Sequence, residues 1–99
     1  MNMQRILQEA QKMQAQIQKE QRELEGTIYE GNSSIVSVKM NGKYEITDIK
    51  INLTEDISLD DKEMLEDMMM VAVNDAVKKI SKEKESKMGK YGQGLAGLM

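Results

Sequence analysis

Between Ser58 and Ile80, apolar side chains recur with the period of an α-helix. At 100° per residue, Leu65, Met69, Ala72, Ala76 and Ile80 fall on one stripe, widened by Met68 and Val73. The run opens on a cap pattern, Ser58 with Asp61 three residues on. Asp60, Asp61 and Glu63 put negative charge at the positive end of the helix dipole, and Lys78, Lys79 and Lys82 gather towards the other end. The stripe is expected to build a core. Met64, Met70 and Val71 lie off it, so the helix carries more apolar surface than one sheet face covers. That surplus calls for a second contact, most simply another copy of the chain. Past Ile80 the stripe gives way to Glu83, Lys84 and Lys87, which leaves the helix free to run on as a solvated arm.

Residues 3–25 form a second helical pattern, written in strong helix formers. Met3, Ala10, Ile17 and Leu24 recur every seven residues, with Ile6 and Met13 between them and Glu20 interrupting the series. So narrow a seam fits a helix packed along one edge and solvated elsewhere, with Gly26 as its stop. From Thr27 to Leu53 the period changes to two. Thr27–Glu30 predicts a short strand, Gly31-Asn32-Ser33 a turn, and Ile35–Met40 a second strand with Val36, Val38 and Met40 on one face. Asn41-Gly42 predicts a two-residue type I′ hairpin turn. Lys43–Leu53 reads as a third strand, in which Ile49, Ile51 and Leu53 alternate while Tyr44 and Ile46 fall on the opposite parity. A bulge near Thr47-Asp48 reconciles them. The glycine-rich stretch from Met88 to Met99 is expected to be a loose tail. The fold class is α+β: one α-β-β-β-α domain over residues 1–99, with a long N-terminal helix, a three-stranded antiparallel meander and a long C-terminal helix.

Composition narrows the chemistry. The chain has no cysteine and no histidine, which removes thiol catalysis, disulfides, and the commonest general base and transition-metal ligand. No catalytic residue, metal, cofactor or small-molecule substrate is expected. No apolar run approaches the ~20 residues of a membrane span, so a cytoplasmic protein with no membrane partner is expected. The net charge of −3 hides a division along the chain. Residues 58–77 carry six acids against one lysine, whereas residues 78–99 carry six lysines against two acids.

Candidate chemistry therefore begins with the cations. Arg5, Lys12, Lys19 and Arg22 share one side of the first helix, and Lys78, Lys79, Lys82, Lys84, Lys87 and Lys90 project from the end of the second. Two such arms suit phosphate contacts along a duplex; the competing reading is a solvated helix with dipole-complementing lysines. Asp60, Asp61, Glu63, Glu66 and Asp67 match no calcium loop and fit the acidic start of a helix. Asn74 and Asp75 are polar residues inside an apolar stretch and need partners or exposure. The ten methionines fill a core that lacks Phe and Trp, or else line an adaptable protein-binding surface.

The segment Asp61–Ala76, DKEMLEDMMMVAVNDA, resembles the DKEMLEDL…AxNDA helix of the YbaB/EbfC nucleoid-associated proteins. Gln11-Lys12-Met13-Gln14, Val38-Lys39-Met40-Asn41-Gly42 and Lys87-Met88-Gly89 support the likeness. Where that family has a glycine run before its second strand, this chain reads Gly31-Asn32-Ser33-Ser34. The resemblance implies a tweezers-like homodimer with its sheets at the interface and its helical arms projecting. It also implies double-stranded DNA binding in the bacterial nucleoid, serving chromosome organisation or gene regulation. Leu65, Met68, Met69, Ala72, Val73, Ala76 and Ile80 are then the core and dimer residues, and the ten cations above are the DNA-binding candidates. The alternative is a non-catalytic dimeric adaptor that uses the Met-rich helical surface.

Overall fold

The computed structural model describes the backbone of residues 2–96 and the side chains of residues 2–89. The elements follow the expected order. Helix α1 (Met3–Gly26) leads into strands β1 (Ile28–Ser33), β2 (Val36–Asn41) and β3 (Ile46–Ile51), then a 3₁₀ turn (Leu59–Asp61) and helix α2 (Lys62–Ala96). The strands form an antiparallel sheet in the order β1-β2-β3. The molecule is long and thin, 72 × 20 × 14 Å.

Both helices have defined starts. Asn2 caps α1, its side-chain oxygen accepting from the amides of Gln4 at 3.1 Å and Arg5 at 3.4 Å. Ahead of α2, the Asp61 carboxylate reaches back to accept from the Ser58 amide at 3.0 Å, as the cap pattern predicts; the Ser58 hydroxyl donates to the same carboxylate at 3.2 Å, and the Asp61 amide donates to Ser58 O at 3.1 Å. The end of α1 differs from expectation. Gly26 is the last helical residue and has no positive φ. The chain leaves the helix at Thr27, in extended conformation, and the Thr27 hydroxyl donates to Glu23 O at 2.6 Å.

The core lies between α2 and two of the three strands. Val36, Val38 and Met40 point from β2 onto Ala72, Ala76 and Ile80, all buried, and Leu65, Met68, Met69 and Val73 pack around them. These are the residues the stripe singles out. Because α2 lies over β1 and β2 and leaves β3 uncovered, only part of the inner sheet face is buried.

Two predicted turns are corrected. Gly31, Asn32 and Ser33 belong to β1, paired with Val38, Ser37 and Val36. The turn is Ser34-Ile35, with Ser34 at φ 49°. Gly31 is a strand residue because α2 rests on it: a Cβ there would strike Ala72 O and stand 2.5 Å from Ala76 N. The second hairpin is not a two-residue type I′ turn. Asn41 donates its amide to Glu45 O at 3.0 Å and accepts from the Tyr44 amide at 3.0 Å, which closes a three-residue loop. The left-handed residue in that loop is Tyr44, at φ 64°, and Gly42 has no positive φ. Gly42 answers a close approach instead, since a Cβ would strike Leu24 O at the base of α1.

The bulge is present. Lys39 pairs with Asp48 and Met40 with Ile46, leaving Thr47 as the extra residue. Skipping Thr47 brings Ile46 into line with Ile49 and Ile51, opposite Met40, Val38 and Val36. At the far end, α2 continues through Gly89 to Ala96, over most of the stretch expected to be a loose tail. The remainder of that expectation falls on residues 97–99, outside the described residues.

Candidate nucleic-acid interface

The base of the arms is fixed where α1 meets α2. Leu24 is buried, and with Gln21, Glu25 and Gly42 it borders a cleft shared with Lys84 and Met88 of α2. Outwards along α1, Met13, Ile17 and Glu20 are half-buried, whereas every residue from Asn2 to Lys12 is exposed. The heptad seam is therefore used at its inner end only.

Arg5, Lys12, Lys19 and Arg22 are all exposed. At 100° per residue, Arg5, Lys12 and Lys19 form a ridge on the side of α1 away from Met13, Ile17 and Leu24. Arg5 pairs with Glu9 at 3.5 Å across an exposed surface, a contact worth little in water. The α2 cations divide by their partners. Lys78, Lys82 and Lys84 are exposed. Lys87 is half-buried and pairs with Glu83 at 3.6 Å. The side chain of Lys90 lies outside the described residues.

Lys79 has a structural engagement that its place in the lysine cluster did not reveal. Its ammonium donates to Glu30 O at 2.6 Å and lies 3.4 Å from the Asp75 carboxylate, which in turn accepts from the Asn32 amide at 3.0 Å. Asp75 and Lys79 thus reach over the outer edge of β1 and satisfy one of its carbonyls and one of its amides. The bond from the Asn32 amide, helped by Lys79, holds the Asp75 carboxyl below its ordinary value. This answers why a polar residue interrupts the apolar stretch, while its neighbour Asn74 is exposed. The sequence signal was present as Asp75 and Lys79 at i, i+4, but only the fold brings β1 beside them.

Nearby, desolvation, followed by the Glu83 carboxylate, raises the Tyr29 phenol above its usual value. Tyr29 packs on the cluster of Met40, Ala76 and Ile80. The Tyr44 hydroxyl meets Ser81 Oγ at 3.1 Å, tying the second hairpin to the point where α2 leaves the sheet.

Charge follows the long axis. The first turns of α2 sit at the Ser34-Ile35 end of the sheet, with Asp60, Glu63 and Asp67 beside Ser33. Ile80 lies at the other end, against Met40 and Tyr29. Acidic side chains thus mark one end of the molecule, and the lysines of α2 follow the arm away from the other. Among the described residues, no group of three or more His, Cys, Asp or Glu could hold a metal ion, and no helix is long and apolar enough to cross a membrane.

Comparisons with known proteins agree with this architecture. A nucleoid-associated protein of Ligilactobacillus salivarius is 43% identical over 100 aligned residues, covering 99% of this chain and 95% of that protein. One from Chloroflexus aurantiacus is 44% identical, with 99% of each chain covered. One from Legionella pneumophila is 41% identical over 95% of this chain and 84% of its own length. The crystal structure of an uncharacterised Helicobacter pylori protein superposes with a TM-score of 0.69 at 26% identity, covering 87% of this chain and 91% of that one. The profile of the YbaB/EbfC DNA-binding family matches residues 1–95, and this chain belongs to that family.

Proposed function

We propose that the chain acts as a homodimer that binds double-stranded DNA through its helical arms, chiefly by phosphate contacts, as a cytoplasmic component of the bacterial nucleoid. Membership of a DNA-binding family over residues 1–95 carries the reading. The geometry supports it with the exposed ridge of Arg5, Lys12 and Lys19, joined by Arg22, and with Lys78, Lys82 and Lys84 on α2. Phosphate contacts made by these side chains carry no direct sequence information, so binding through them is weakly selective and salt-sensitive. Lys79 and Lys87, engaged within the chain, contribute less.

The pairing surface is the inner face of β3. Ile46, Ile49 and Ile51 remain 47%, 45% and 37% exposed on the face that carries the core on β2. Met70, on the flank of α2 turned away from Asp75 and Lys79, is 58% exposed. A second copy placing the same surface there buries both and leaves the arms projecting. Stable dimers of this kind commonly bury more than ~2,000 Å².

Mobility shifts with unrelated duplexes across a salt series test the DNA reading. Replacing Lys12, Lys19 and Arg22 with Gln, and separately Lys78, Lys82 and Lys84 with Gln, should weaken binding alike for all duplexes. The slope of log K against log [salt] should shrink by about 0.9 for each phosphate the variant no longer neutralises. Unchanged slopes in both variants would remove the arms from the interface.

A further inference from the structure

We propose that the apolar groove under the first turns of α2 seats the free end of α1 from another copy, so that copies join head to tail. The groove encloses about 320 Å³, and its apolar lining is Ile35, Leu53, Ile57, Met64, Leu65 and Met68. The chain leaves much of that lining bare: Leu53 is 52% exposed, Ile57 41% and Met64 48%. The groove lies at the end of the sheet beyond Ile51, and none of Ile46, Ile49 and Ile51 lines it.

Charge selects the occupant. Glu55, Asp56 and Asp61 stand on the rim, and residues 53–67 hold seven acids against Lys62 alone. Such a rim turns away a nucleic-acid backbone and acidic segments, and favours an apolar helix face on a segment of net positive charge. The free end of α1 is such a face. Met3, Ile6 and Leu7 are 67%, 47% and 58% exposed, and with Ala10 they fall at i, i+3, i+4 and i+7. Arg5 and Lys12 against Glu9 leave residues 2–12 at net +1; at 100° per residue both cations lie on the opposite side of the helix, where Arg5 pairs with Glu9. A helix is ~10 Å across, about one Debye length at 0.1 M salt, so these cations still feel the acidic rim while facing outwards. The contact joins two different surfaces, so it passes from copy to copy instead of ending at a pair. The inference rests on the proposed function for its paired unit and leaves the cation ridge free for DNA.

Sedimentation velocity on the full chain tests it, with Leu7→Glu at the helix end and Ile57→Glu in the groove. The mass of the unsubstituted protein should climb with concentration past the paired unit. Each variant alone should lose every species larger than that unit, and an equimolar mixture should regain them, because each supplies the surface the other lacks. Met3→Glu and Leu53→Glu repeat the test at independent positions if either variant unfolds. A mass that stays at the paired unit, a variant that climbs like the unsubstituted protein, or a mixture that fails to recover would each overturn the inference. The dilute limit reads the pairing itself, and since the variants keep every basic side chain, duplex retention reads the DNA interface separately.

Discussion

Gly31 and Gly42 show how a residue can be right for a reason the sequence disguises. Both stand in turn-like contexts, yet neither has a positive φ; each lets a strand or loop pass against a helix backbone. Gly42→Val should therefore destabilise through collision with the Leu24 carbonyl, by about 1–3 kcal/mol as overpacking usually does. Gly42→Ala should do so too, since the first carbon already collides. A conformational role would instead spare a D-alanine at this position, so unfolding curves of the L- and D-alanine proteins distinguish the two. Asp75 gives a pH test. Its folded-state value is depressed, so its stabilising contribution is present above the ordinary carboxylate range and is lost as pH falls through the folded value. Asp75→Asn should lower the Tm at neutral pH, and the two proteins should converge in strong acid; thermal unfolding across the acid range checks this.

At the scale of elements, the helices and the strand order were legible because periodicity and caps are local properties. The stripe Leu65–Ile80 and the Ser58-Asp61 cap appear where the pattern put them, and Thr47 bulges as the parity of Ile46 and Ile49 required. Strand limits were less legible. Gly31-Asn32-Ser33 has turn composition, and what keeps it in β1 is Ala72, Ala76 and Asp75, more than forty residues away in sequence. The candidate DNA site had the same division. All the cations could be named from the sequence, but the i, i+4 spacing that sets Lys79 beside Asp75 gave no sign of the Glu30 carbonyl to which Lys79 donates. Lys79→Gln should consequently lower thermal stability more than Lys78→Gln, while Lys78→Gln should weaken DNA retention more. Measuring Tm and the salt slope on both single variants checks that crossover.

For the whole molecule, the distribution of apolar surface matters more than its amount. α2 is offset towards β1, so the uncovered part of the sheet is concentrated on β3. Ile49→Lys should hold the chain as a monomer at micromolar concentration, because it places a charge in the proposed pairing face, and should leave the α2 core intact. Sedimentation equilibrium reads the mass directly.

The offset has another consequence. An antiparallel sheet normally ends in two rows of unpaired amides and carbonyls, and each can template a foreign strand. Here Asp75 and Lys79 occupy positions along one of those rows, at Asn32 and Glu30. A sheet that recruits from one side only can pair with a copy of itself, and growth by strand addition then terminates at two. In the proposed role on DNA, where many copies crowd together, this arrangement guards against cross-β deposition.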